Sequence, residues 1–246
     1  MTKYNKSPKY ILNLEIITMK ILEKLVLAST TCLITTAPVQ AFTVTVEEPT
    51  VQTEQLADDL FLIDFDNLTV NSTDSFSETN SSTSSTYTYS EDLIIQSTNI
   101  YGGADNTPYI EPANKPESFA VSVNTPQKYF GLWWSAGDSS NILTFKRSGT
   151  VVATFNTANV ISTVGTLPNG DDYYCNPTSS FSGQVCNEPY VFINFFFEGL
   201  EEYDEIVFKA TASGGNFESD NHTFSVDEQP IRGEIVPTES SFIYAD

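Results

Sequence analysis

The chain has 246 residues, 40% of them hydrophobic and 17% charged, which is enough apolar material for one β-domain of ordinary size or two small domains with a real core and argues against disorder throughout. Thirty-two acidic against 11 basic side chains give a net charge of −21, which repels phosphate backbones and anionic lipid and argues against nucleic acid and membrane surfaces as partners. One histidine and three cysteines leave little material for zinc clusters or Cys/His nucleophiles.

Residues 1–41 read as a signal peptide. Lys20 and Lys24 precede an apolar run, Leu25 to Ile34, which is interrupted by Ser29, Thr30, Thr31 and Cys32 and too short to span a hydrocarbon core of about 30 Å. Val39 and Ala41 supply the small side chains a signal peptidase inspects, so cleavage is expected before Phe42. The polar stretch ahead of Met19 is either an extended n-region or lies upstream of the true start, and Met19 is the favoured start. Removing the leader takes away five Lys and two Glu, so six basic and 30 acidic side chains remain, a net charge of −24. The expected address is secreted or cell-surface, with no transmembrane segment in the mature chain. Cys175 and Cys186 then stand as an even pair in an exported chain and predict one disulfide closing a short loop.

From Phe42 to Asp59 the chain is acidic, contains Pro49 and predicts a loosely held arm. Leu60 to Phe65 is a short strand-like run. Residues 71–86 are too polar to bury and predict a long, exposed Ser/Thr-rich loop, with Asn67, Asn71 and Asn80 heading Asn-x-Ser/Thr triplets. Extended segments follow at regular spacing: Tyr87 and Tyr89, Leu93 to Thr98, Phe119 to Val123, Tyr129 to Ala136, Ile142 to Lys146 and Val151 to Phe155. Tyr190 to Phe197, Ile206 to Thr211 and His222 to Val226 complete the set. Ser148-Gly149 is a tight hairpin signal, and Thr157 to Val164 is the one plausible helical turn, with Thr157 as its cap. Tyr190 to Phe197 is apolar on both faces and so belongs in the centre of a sheet. The pattern predicts an all-β fold, an antiparallel, jelly-roll-like β-sandwich over residues 60–228 followed by a tail at 229–246.

Three segments carry a family resemblance. Tyr101-Gly-Gly-Ala-Asp105, then Phe130-Gly-Leu-Trp-Trp-Ser-Ala-Gly-Asp138 with Asn141-Ile-Leu-Thr-Phe145, and Gly214-Gly-Asn-Phe-Glu-Ser-Asp-Asn-His222 resemble exported cyanobacterial surface proteins of the exosortase-dependent, PEP-CTERM-associated type. The resemblance covers roughly Leu60 to Val226 and implies a β-sandwich surface or matrix protein without an assigned enzymatic activity. Such proteins usually finish with a Pro-Glu-Pro motif, a hydrophobic helix and basic residues. This chain finishes Glu234-Ile-Val-Pro-Thr-Glu-Ser-Ser-Phe-Ile-Tyr-Ala-Asp246, so it is expected to be either a freely secreted relative or a truncated one.

Calcium is the one cofactor the residues suggest, because hard cations take carboxylate and amide oxygens. Asp105, Asn106, Asp220 and Asn221 are the best placed donors, and Asp64 and Asp66 can join them if the first and last strands pair. The competing reading is a solvated acidic surface. Trp133 and Trp134 are consecutive and in a strand face opposite ways. One of them is either an exposed platform for a sugar ring, with Tyr101, Asp138 and Asn141 beside it, or covered by a loop such as 71–86. Asp171-Asp172 and Glu201-Glu202 with Asp204-Glu205 read as ordinary turn carboxylates, and no Gly-x-Ser-x-Gly, phosphate loop or His-Glu-x-x-His occurs. The expected function is that of a non-enzymatic exported surface or matrix protein, whose partners are extracellular polysaccharide or other surface proteins. The alternative is a carbohydrate-binding module.

Overall fold

The structure, a computed structural model, describes residues 42–52, 60–114, 118–211 and 215–238. The expected leader lies outside the described residues. Fourteen strands carry the described chain: β1 (Phe42–Val46), β2 (Phe61–Ile63), β3 (Phe76–Asn80), β4 (Ser85–Tyr89), β5 (Leu93–Gln96), β6 (Tyr109–Pro112) and β7 (Ser118–Gln127) come first. They are followed by β8 (Tyr129–Ser135), β9 (Ile142–Arg147), β10 (Thr150–Asn156), helix α1 (Ala158–Val164), β11 (Val191–Phe197), β12 (Tyr203–Lys209), β13 (Glu218–Ser225) and β14 (Glu234–Ile235).

One sheet runs β14-β1-β11-β8-β13-β6-β5, with β2 also on β13, and the other runs β10-β9-β12-β7-β4-β3. Every strand pairing in both is antiparallel. The sheets pack face to face as an all-β sandwich over one continuous apolar layer. Period-2 alternation decides which side chains enter it: Phe130, Leu132 and Trp134 from β8, Val191, Ile193, Phe195 and Phe197 from β11, Phe145 from β9 and Phe208 from β12. Rings from opposite sheets meet edge to face, as Phe130 does with Phe208 at 5.9 Å and Phe155 with Phe195 at 5.2 Å.

The strand predicted to be central is central: β11 lies between β1 and β8, and all seven of its residues are buried. Its second face is covered as well. Phe196 packs with Leu60 and Tyr129, and Phe192 with Trp133, Tyr190, Ala104 and Ala136. Between these clusters Asn194 donates to Glu47 Oε1 at 2.9 Å and accepts from the Tyr129 hydroxyl at 2.7 Å. Arg232 closes the network, donating to Glu47 Oε1 at 2.7 Å and to the Tyr129 hydroxyl at 3.1 Å. A buried polar row of this kind holds because each group has partners.

Several expectations change. Phe42 to Val46, read as the start of a loose arm, is a strand inside the larger sheet. Its Phe-Thr-Val-Thr-Val alternation buries Phe42, Val44 and Val46, a signal masked by the acidic residues after it. Of the segment read as a tail, 229–246, the described part to residue 238 is likewise integral, because Val236 enters the core and β14 pairs with β1; the rest lies outside the described residues. The Ser/Thr-rich stretch is largely a hairpin, β3–β4, at a sheet edge. There hydroxyls pair across strands, Ser77 with Thr88 at 3.0 Å and Thr79 with Thr86 at 3.2 Å, and solvent exposure makes burial unnecessary. Thr157 does not cap α1 with its side chain. Its hydroxyl donates backward to the Asp138 carbonyl at 2.6 Å, and Asn156 Oδ1 instead accepts the Ala158 N–H at 2.8 Å. Ser148-Gly149 does form the β9–β10 turn, with φ of 50° and 80° at the two residues.

Candidate functional site

The three resemblance segments meet in space. Asp138, just past β8, accepts the Gly215 N–H through Oδ2 at 2.7 Å and the Ser140 N–H through Oδ1 at 2.7 Å. Asn141 takes the Trp134 indole N–H on Oδ1 at 3.1 Å and donates through Nδ2 to the Asn216 carbonyl at 3.0 Å. Asp220 in β13 accepts the Ala104 N–H at 2.9 Å, which ties the Tyr101–Asp105 loop to the last long strand. Asp138 and Asn141 are therefore clamps between segments of the fold.

Both indoles are buried, Trp133 to 1% exposure and Trp134 to 0%. Trp134 faces the space between the sheets. Trp133 faces the other way, against Tyr190, Phe192, Ala104 and Ala136, with Val185 packed over the cluster. Neither indole is the exposed platform that sugar stacking requires, and the cover over Trp133 is the 185–190 stretch and the Ala104 loop, not residues 71–86. Tyr101 is half exposed but belongs to a separate turn, its N–H held by Asn99 Oδ1 at 2.7 Å. The five expected ligand residues thus do not converge on one surface.

The expected oxygen donors come partly together. β2 pairs with β13, as anticipated, so Asp64 and Asp66 approach the last long strand. Asp105 Oδ2 accepts from Gln52 Nε2 at 3.2 Å, and Gln52 Oε1 accepts from Asn221 Nδ2. Asn106 turns elsewhere, accepting the Ser180 N–H at 2.6 Å. Asp220 is buried and takes N–H groups on both oxygens, from Ala104 on Oδ2 and from Asn221 on Oδ1 at 2.8 Å. Burial pushes its carboxyl up to about 8, against the pull of those hydrogen bonds. The Thr107 hydroxyl also lies within donating reach of Asp220 Oδ2, at 3.0 Å, and of the Ala104 carbonyl. The four residues read from sequence as a calcium set are engaged with one another's neighbours instead. Among the described residues no group of three or more His, Cys, Asp or Glu side chains is arranged to hold a metal ion.

The predicted disulfide, Cys175–Cys186, is present and closes a loop over the outer face of the larger sheet. Asn176 is buried beside it and donates to the Asn99 and Ile100 carbonyls, both at 3.3 Å, while the Tyr190 hydroxyl donates to the Ile100 carbonyl at 2.7 Å. Replacing both cysteines by serine is expected to lower the unfolding free energy by about 3 kcal/mol, read from urea unfolding, through the restored freedom of the open loop. An unchanged midpoint would contradict a structural role for the bridge.

Next to the bridge lies a cleft of about 410 Å³ lined by Gly165, Leu167, Pro168, Gly170, Asp171, Tyr174, Cys175 and Cys186. Leu167, Pro168 and the partly buried Tyr174 give it apolar walls, and Asp171 gives it an exposed carboxylate. Nothing in the sequence marks this cleft, because seven of its eight lining residues fall in the motif-free stretch from Gly165 to Cys175 and Cys186 joins them through the disulfide. A second hollow, of about 220 Å³, runs along Phe61–Phe65 to Leu68 and Glu78. The acidic group after β11 is engaged elsewhere: Arg147 pairs with Glu202 at 2.9 Å and Asp204 at 2.5 Å, and Lys146 with Glu205 at 2.5 Å.

No family model, curated protein or solved structure matches the chain. Among the described residues no helix is long and apolar enough to cross a membrane.

Proposed function

We propose that this chain is an exported, non-enzymatic β-sandwich protein that acts at the cell surface or in the extracellular matrix, alongside other surface proteins or polysaccharide. The observation that carries the reading is the Cys175–Cys186 bridge, since disulfides persist in oxidising compartments and are rare in the cytosol. The leader-like residues 1–41, the net charge of −21 and the likeness to exosortase-dependent surface proteins agree with it. Expression of the full gene in a secreting bacterial host is expected to give an extracellular product that begins at Phe42, with the Cys175 and Cys186 peptides linked in an unreduced digest. A reduced, full-length product confined to the cytosol would overturn the proposal.

A second reading, carbohydrate binding, moves from the buried indoles to the cleft beside the bridge. There Tyr174 offers a ring face and Asp171 an acceptor, the pairing that sugar sites use. Retention on a glycan array that Tyr174→Ala abolishes would favour it; absence of any signal removes it.

A further inference from the structure

Two glutamates are nearly buried on the outer face of the larger sheet, Glu111 in β6 and Glu218 in β13, each 7% exposed. The register that sets Ser219 against Ile110 places Glu111 and Glu218 side by side, and Glu218 is directly opposite Ser135 at the end of β8. Alternation confirms the face: Ile110, Phe217 and Trp134 point into the core between the sheets, so Glu111, Glu218 and Ser135 point away from it together. Cross-strand neighbours of this kind hold their Cβ atoms roughly 4.5–5.5 Å apart, and like charges so placed repel.

Two further oxygens border the pair. Ser135 is fully buried, and its Oγ has no hydrogen-bond partner. Asn216 donates through Nδ2 to Glu111 Oε2 at 2.7 Å, and its backbone carbonyl is held by Asn141, yet its buried Oδ1 accepts nothing. A buried polar atom left without a partner keeps the full penalty of its desolvation, and two of them beside two carboxylates are an unusual concentration. Gln96 Nε2 fixes the other oxygen of Glu111 at 2.8 Å, so the carboxylate is oriented rather than free to swing. The neighbouring phenols feel the same negative field: Tyr109 is pushed well up, by burial first and then by Glu111 and Glu218.

We propose that Glu111, Glu218, Asn216 Oδ1 and Ser135 Oγ form a binding site for one hard divalent cation of calcium type. Two carboxylates, an amide oxygen and a hydroxyl are the donor set such ions take, with water completing six to eight ligands. The site shares no residue with the Asp105, Asn106, Asp220 and Asn221 set. It joins β6, β8 and β13 to the Gly215–Asn216 segment, so an ion there would brace the same junction that Asp138 and Asn141 clamp. It does not depend on export or on any ligand in the disulfide cleft.

Terbium is the probe of choice, because Tyr109, Tyr190 and Trp133 lie on the same face and can sensitise its emission. The full chain, first stripped with chelator, is expected to bind one terbium, to release it to excess calcium, and to melt higher in millimolar calcium than in chelator. Glu218→Gln and Ser135→Ala are each expected to weaken terbium binding by at least about tenfold, as loss of a ligand or its supporter does. Asp105→Asn, outside the set, is expected to leave it unchanged. Ser135→Ala removes only an unpartnered hydroxyl, so it should fold even if the glutamate variant does not. Absence of saturable terbium binding, binding undiminished in Ser135→Ala, or loss of binding in Asp105→Asn would overturn the proposal.

Discussion

A proton NMR titration is expected to find the ring of the single histidine, His222, uncharged from pH 8 down to about pH 4. His222 is fully buried and stacks on Phe208 at 5.0 Å with its plane 6° away, with Phe65 and Phe130 edge-on at 5.1 and 5.3 Å. Its two nitrogens are 3.0 Å from the Tyr89 hydroxyl and 3.1 Å from Ser219 Oγ, which satisfy a neutral ring. Burial pushes the imidazole down to about 3.

The consequence for stability follows by linkage. Unfolded, the imidazole protonates near pH 6.5; folded, it waits until about 3, so acid favours the unfolded state across that interval by up to about 5 kcal/mol. Asp220 acts in the opposite direction. Its folded carboxyl holds a proton up to about pH 8 while the unfolded one releases it near 3.8, so its contribution is complete in acid and declines as pH rises toward 8. From about pH 4 to 6.5 the two slopes offset each other, and above 6.5 Asp220 stands alone. Measured in chelator, the unfolding free energy is expected to drop by roughly 2 kcal/mol between pH 6.5 and 8. Asp220→Asn should flatten that limb, at the cost of the Ala104 hydrogen bond. A histidine titrating near 6.5, or an alkaline limb unchanged in Asp220→Asn, would contradict the assigned burial.

Trp133→Ala and Trp134→Ala are each expected to destabilise the fold by about 3–5 kcal/mol, the range for emptying a large aromatic site in a packed interior. The two losses differ in kind. Trp134 leaves a cavity between the sheets and strips Asn141 Oδ1 of its indole donor, loosening the clamp to Asn216. Trp133 leaves a cavity under the bridged loop, where Tyr190 and Phe192 have room to shift, so its cost should lie nearer the lower bound. Thermal or urea unfolding measures both. A loss below about 1 kcal/mol at either position is the signature of a surface residue and would contradict the packing described.

The strands that alternate cleanly were legible from the chain. Tyr129 to Ala136 and Tyr190 to Phe197 announce themselves by runs of aromatic residues, and Ser148-Gly149 announces its turn. The pairing of Cys175 with Cys186 followed from reading them as an even pair in a chain expected to be exported. What escaped were elements whose role is set by partners distant in sequence. β1 is only five residues long and runs straight into an acidic stretch, and β6 contains Glu111 and Pro112, which look like loop residues until the sheet buries them. The motif residues misled in a specific way. Asp138, Asn141 and Asp220 are polar residues in or near glycine-containing segments, the profile of a ligand site. The same profile serves residues that satisfy backbone N–H and carbonyl groups where irregular segments cross, and that is where the structure puts them. For the two indoles, alternation correctly sends them to opposite faces but cannot reveal that a bridged loop roofs the outer one.

With that roof the larger sheet is covered on both faces, and the chain's two tryptophans report on the cover directly. Acrylamide quenching of the oxidised protein is expected to find blue-shifted emission with both indoles shielded. After reduction of Cys175–Cys186, one of the two, Trp133, should become accessible while Trp134 stays protected. Ready quenching of an indole in the native, oxidised chain would contradict the account.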